Sequence, residues 1–226
     1  MTEKIPKLLP ERIMFCIDFS SLLKTKPRNN KTHKNVLSAL IESIKHFIHL
    51  KQQINPKHEY GLITVTYFTR MLSNFNRDPT DLLSKLDQLE SKTFRTMTYF
   101  SLTKFFQRFS DFEIKKLEEA QFVTRIILFY IRDAIPSFPD LIEPSDLFQE
   151  MVSKSLVWDT IILSPNPKAK KKSDVATALK EFGKFCKIKP FILQDKGSSN
   201  LINKMALLIA NPIQRKPLEE MKILNL

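Results

Sequence analysis

Two uninterrupted apolar runs constrain this chain more than anything else in it. Ile13, Met14, Phe15, Cys16 and Ile17 stand in succession, and so do Ile126, Ile127, Leu128, Phe129, Tyr130 and Ile131. A strand with one wet face alternates apolar and polar residues, whereas a run without alternation needs cover on both faces, as a strand inside a mostly parallel sheet does. Helical periodicity supplies that cover. Val36, Leu37, Leu40, Ile41, Ile44, Phe47 and Ile48 recur at three- and four-residue spacing, which predicts an amphipathic helix over 32–53. Leu82, Leu83, Leu86 and Leu89 form a second apolar stripe after Asp78 and Pro79, a capping residue followed by the proline that suits a first helical turn.

Further strands are expected at 59–68, at 67–72 as a shorter neighbour, at 156–163 and at 189–193; further helices are expected at 96–112, 144–154, 173–187 and 198–210. Strands separated by helices of this length imply an α/β three-layer sandwich, with a mostly parallel central sheet, one antiparallel edge strand and helices on both faces. With 226 residues, 42% of them hydrophobic, the chain has material for one core. The expected organisation is a tail over 1–10, one domain over 11–210 and an extended tail over 211–226.

Several function classes lack their residues. Phosphate-binding loops and nucleophile elbows need clustered glycines, and Gly61, Gly183 and Gly197 stand apart from one another. Cys16 and Cys186 are the only cysteines and belong to no zinc-spaced cluster, which suggests a reducing intracellular compartment. Residues 1–10 lack the apolar core of a signal peptide, and no apolar run reaches membrane-spanning length, so a soluble protein is expected. The net charge of +12 suits an acidic partner or a solvated surface, because only Lys168, Lys170, Lys171 and Lys172 form a dense run. His33, His46, His49 and His58 fall in or beside the first helix and second strand, away from the strand ends where nucleophilic chemistry would need a base. No catalytic residue is assigned.

In open α/β sheets function collects at the carboxyl ends of the strands. There, Asp18-Phe19-Ser20-Ser21-Leu22 resembles the Asp-x-Ser-x-Ser metal loop of von Willebrand A domains, and Thr93 falls where that family supplies a threonine ligand. Two departures argue against a metal. Leu22 replaces the second serine, and the strand over 126–131 ends in Tyr130 and Ile131 rather than a carboxylate, leaving too few oxygens for a hard cation. Asp133 lies beyond that strand. No metal and no cofactor are expected.

Several stretches together resemble the MERIT (mediator of RAP interactions and targeting) subunits of the BRISC and BRCA-linked deubiquitinating assemblies. They are Pro10-Glu11-Arg12-Ile13-Met14-Phe15-Cys16-Ile17-Asp18-Phe19-Ser20-Ser21, then His58-Glu59-Tyr60-Gly61-Leu62, Asp78-Pro79 with Leu86 and Leu89, Arg125-Ile126-Ile127-Leu128, and Leu207-Leu208-Ile209-Ala210-Asn211-Pro212-Ile213-Gln214-Arg215. The resemblance implies a von Willebrand A-like (Rossmann-type) fold with a degraded metal site and no enzymatic activity. It also implies an adaptor in cytoplasm and nucleus. Such an adaptor binds a BRE-type subunit with ubiquitin-conjugating-variant domains and, through it, Abraxas-type scaffold and JAMM metalloprotease deubiquitinase subunits that act on lysine-sixty-three-linked ubiquitin chains. This sequence differs from vertebrate members in its basic charge and in having no long acidic stretch before residue 10, so nothing that depends on such a stretch is carried over.

The tail suggests where a partner binds. Pro212 and Pro217 lack amide donors and restrain the residues before them, which predicts an extended segment after Ala210. In this reading Pro212 and Ile213 fill a partner groove, with Gln214 and Pro217 in the same segment and Arg215 paired with an acidic group at the rim. Two other functions remain open at this point, a metal-dependent ligand-binding domain and a nucleic-acid-binding module using the basic excess.

Overall fold

The structure is a computed structural model that describes residues 9–19, 30–65, 69–89, 105, 122–131, 156–163, 172–184, 186, 188–195 and 200–215. Its strands are β1 (Glu11–Asp18), β2 (Glu59–Val65), β3 (Thr69–Asn76), β4 (Val123–Tyr130), β5 (Val157–Leu163) and β6 (Ile192–Asp195). The described helices are α1 (Asn30–Ile54), α2 (Thr80–Leu89), α3 (Lys172–Gly183) and α4 (Leu201–Leu207). The strands form one sheet in the order β3-β2-β1-β4-β5-β6. All pairs are parallel except β2 with β3, which places an antiparallel strand at one edge.

The two apolar runs become the central strands β1 and β4, which pair with each other and are buried along their whole length. Their side chains alternate between two cores. Ile13, Phe15 and Ile17 with Ile127 and Phe129 face α1, α2 and α4, where Phe15 meets Phe47 edge-on at 5.8 Å between ring centroids. Met14, Cys16, Ile126 and Leu128 face the other way, toward Val175, Ala176 and Leu179 of α3 and the isolated described residue Phe105. Helices on both faces are therefore present, as the lack of alternation requires.

The ends of the elements differ from the sequence expectation where side chains claim the backbone. Asp78 Oδ1 accepts from the Thr80 amide and hydroxyl at 3.0 and 2.6 Å and caps α2 as expected. The last strand, expected at 189–193, begins at Ile192 instead. Pro190 has no amide to offer a ladder, and the Phe191 amide donates 2.7 Å to Asp159 Oδ1. Helix α3 stops at Gly183, four residues before the expected end. The Pro190 ring lies so close that a Cβ on Gly183 would sit 2.5 Å from its Cγ. Helix α4 is shorter than 198–210, because Leu208 and Ile209 amides turn back to Met205 and Ala206 carbonyls in a tightened last turn. The helices expected at 96–112, apart from Phe105, and at 144–154 lie outside the described residues.

Candidate functional site

The carboxyl edge was the expected place for chemistry. Asp18 ends β1 fully buried, and the next amide, that of Phe19, donates 2.9 Å to the Val65 carbonyl at the end of β2. Tyr130 ends β4 and Ile131 follows it, both buried, so the position that needs a carboxylate carries a phenol and an alkyl group. Ser20, Ser21, Leu22, Thr93 and Asp133 lie outside the described residues. Among the described residues no three His, Cys, Asp or Glu side chains group as a metal-holding cluster. His46 and His49 are exposed on α1. Burial pushes the Cys16 thiol well above its usual range, and burial with the Asp159 charge pushes Cys186 up to about 12, so both thiols stay protonated and inert.

The opposite edge holds what the sequence reading missed. Glu11 opens β1, Arg125 and Asp159 sit early in β4 and β5, and Lys51 reaches in from the last turns of α1; all four are buried. Arg125 is the centre. Its Nε donates 2.9 Å to Asp159 Oδ2, and its Nη1 donates 2.6 Å to the Leu208 carbonyl and 3.2 Å to Glu11 Oε2. Lys51 Nζ donates to the other Glu11 oxygen. Burial lowers the Lys51 ammonium below its usual range, against the pull of Glu11. Asp159 is raised by burial, but the Arg125 and Arg215 charges outweigh that and hold its carboxyl below the usual carboxylate range.

His58 joins the group as a neutral acceptor. Its Nδ1 receives the Glu11 amide at 2.8 Å, and burial, followed by the nearby Lys51 charge, lowers its pKa to about 4. The signal for this cluster was legible in principle. Arg125 and Asp159 are charged residues inside strands that are otherwise apolar, on the same face of neighbouring strands, and a charge so placed demands an opposite charge.

The tail residues assigned to a partner lie directly below the cluster. The segment is not extended over 211–215. Asn211 Oδ1 receives the Ile213 amide, and the Asn211 carbonyl receives the amides of Gln214 and Arg215, so Pro212 occupies a turn that its fixed φ favours. Pro212 is buried, Ile213 is 54% exposed and Gln214 is exposed. Arg215 finds its carboxylate within the chain. Its two terminal nitrogens donate 2.8 and 2.6 Å to the two oxygens of Asp159, a third bond of 3.1 Å reaches the Lys189 carbonyl, and the guanidinium stacks 3.8 Å over the Phe191 ring. Pro217 lies outside the described residues.

Comparison with known proteins adds the relatives. Over 94% of its length the chain is 26% identical to BRISC and BRCA1-A complex member 1 of Xenopus laevis, spanning 67% of that protein. The zebrafish (Danio rerio) protein of the same name is 28% identical over 91% of the chain, which spans 58% of it, and the human (Homo sapiens) one is 26% identical over 91%, with 65% spanned. The resemblance seen in the sequence holds. These proteins are the curated homologues of the chain, although no family model matches it. Among solved structures, the VWA domain of SpRpn10 aligns with a TM-score of 0.57 at 17% identity, covering 93% of this chain and 100% of that one. The vWF domain of the pili tip protein Mfa5 from Porphyromonas gingivalis aligns at 0.59 and 12% identity, with 93% and 98% covered. The fold is that of a von Willebrand A domain.

Proposed function

We propose that the chain is a non-catalytic scaffold subunit of a BRISC-like deubiquitinase assembly. In this reading it binds a BRE-type subunit through that subunit's ubiquitin-conjugating-variant fold and stabilises an assembly whose separate metalloprotease cuts lysine-sixty-three-linked ubiquitin chains. The carrying observation is similarity along nearly the whole chain to proteins named as members of the BRISC and BRCA1-A complexes. The site chemistry supports it. The thiols are buried and protonated, and the described rim of the sheet presents Tyr130 and Ile131 where a reacting or metal-binding group would stand.

The tail is the proposed contact, with its roles redistributed. Ile213 and Gln214, exposed on the turn, meet the partner, while Pro212 and Arg215 face inward. A buried apolar anchor ringed by polar groups is the common pattern of binding hot spots. The test is reconstitution of the full chain with the BRE-type subunit of the same source, read by light scattering. A stable complex is expected, weakened about tenfold or more by Ile213→Ala with Gln214→Ala. Failure of the wild-type pair to associate overturns the scaffold reading.

A further inference from the structure

The buried charges at the amino edge do not sum to zero. Glu11 and Asp159 oppose Lys51 and Arg125, two carboxylates against two cations, and Arg215 adds a third cation. The first four are therefore balanced without it. Withdrawing either carboxylate would strand a buried cation, and withdrawing Arg125 would remove a fully buried side chain that bonds Glu11, Asp159 and the Leu208 carbonyl together, whereas withdrawing Arg215 leaves Asp159 paired with Arg125. Arg215 is thus the member of the cluster that can leave at least cost.

Among the described residues, the segment leading to it has few other ties. After the Leu208 carbonyl bonds Arg125, Ile209 packs against the core, and the described side-chain links of residues 210–215 to the rest of the domain are Asn211 Nδ2 to the Leu9 carbonyl at 3.3 Å, the burial of Pro212, and Arg215 itself. Ala210, Ile213 and Gln214 are exposed. The pocket for Arg215 is specific in kind. It offers a two-oxygen carboxylate, a backbone carbonyl and an aromatic face, which a planar guanidinium satisfies together and an ammonium does not.

We propose that Arg215 is a releasable latch: seated between the Asp159 carboxylate and the Phe191 ring, it pins residues 210–215 across the amino edge and holds Ile213 outward in the conformation the partner takes. The inference rests on the scaffold reading only for what Ile213 meets; the latch is a property of the isolated chain. Arg215 is here a positioning residue and does not touch the partner. Its loss acts by letting the turn sample conformations that must be reordered on binding, which lowers affinity without removing a contact.

Hydrogen exchange on the full chain tests the latch without a partner. In Arg215→Gln the amides of residues 213–215, bonded to Asn211 in the wild type, should exchange about tenfold faster or more and independently of low urea, the mark of local opening, while those of β1 and β4 stay slower and urea-dependent, shifted only by the loss of global stability. Arg215→Lys should fall between, since it keeps the charge and loses the fork. Unchanged exchange at residues 213–215 overturns the latch; so does exchange there that keeps the rate and urea dependence of β1 and β4, which would mean that the turn opens only when the core unfolds. Partner affinity then separates the two claims. Weaker binding of Arg215→Gln with Ile213→Ala also weaker supports both. Full affinity of Arg215→Gln despite an opened turn overturns the positioning role. Full affinity of Ile213→Ala, with the exchange result intact, removes the tail from the scaffold reading and leaves the latch standing.

Discussion

At the amino edge of the sheet five charged side chains, Glu11, Lys51, Arg125, Asp159 and Arg215, meet within bonding distance of one another, whereas at the carboxyl edge the described ends of β1 and β4 present Asp18, Tyr130 and Ile131. Parallel sheets usually arrange the reverse, with polar groups for ligands at the carboxyl ends. Here the buried polar groups serve the chain itself. They join β1, β4, β5, α1 and the segment after α4 through side chains rather than through the ladder. The contrast teaches that a cluster of buried charges need not mark a ligand site: these charges satisfy one another and the Leu208 and Lys189 carbonyls.

The sharpest way to break this comparison is to remove its centre. Arg125→Met keeps a long apolar side chain in the same space but strips buried bonds from Glu11, Asp159 and the Leu208 carbonyl, while Lys51 and Arg215 still face the two carboxylates. A loss of about 3–5 kcal/mol, summed over those three bonds, is expected in urea denaturation, enough to abolish folding in a marginally stable domain. Wild-type stability in this variant would mean the cluster contributes nothing. Arg215→Gln should cost less, about 1.5–3 kcal/mol, because it removes charge-assisted bonds but leaves the other four charges balanced. The ratio of the two losses, read from the same denaturation curves, measures how far the cluster divides into a fixed part and a releasable one.

Much of the amino edge was readable as fold and unreadable as site. The uninterrupted runs beginning at Ile13 and Ile126 announced the central strands, and the three- and four-residue spacing from Val36 to Ile48 announced α1, because burial on two faces or on one stripe leaves a periodic trace. Long-range pairing leaves none. Lys51 sits in α1 forty residues from Glu11, and a helix pattern counts it as one more polar position. Arg125 and Asp159 stood out only as charges in apolar strands. The tail misled for a different reason. Two prolines forbid a helix, but they permit a turn as readily as an extended chain, and the Asn211 side chain and carbonyl decide in favour of the turn. The Asp18 loop could be compared with a motif only because its residues are contiguous.

His58 tests the cluster by pH. It faces Glu11, Lys51 and Arg125, is neutral in the folded state with a pKa of about 4, and returns to its ordinary 6.5 on unfolding. Between those values the unfolded chain binds a proton that the folded chain does not. Its contribution to stability is therefore present above pH 6.5 and declines as pH falls toward 4, by at most about 1.4 kcal/mol per pH unit. Asp159, held below the ordinary carboxylate range, adds its own loss only at lower pH, as acid begins to protonate it. His58→Gln keeps an acceptor for the Glu11 amide and removes the titration. Stability measured from pH 7 to 4 should slope less in that variant than in the wild type, and equal slopes would place the titrating group elsewhere.

The smallest expected effect belongs to the carboxyl edge. Titration of the full chain with magnesium or manganese should give no saturable heat and no shift in Tm, since binding to the native state alone would raise it. The reasoning rests on donors. A six-coordinate divalent cation needs carboxylate charge to offset the loss of its water shell, and β4 ends in a phenol and an isoleucine where that charge belongs. Asp18 supplies one carboxylate, at full burial. A saturable site lost in Asp18→Asn would show that oxygens from outside β4 complete the coordination, and the contrast drawn between the two edges would then fail.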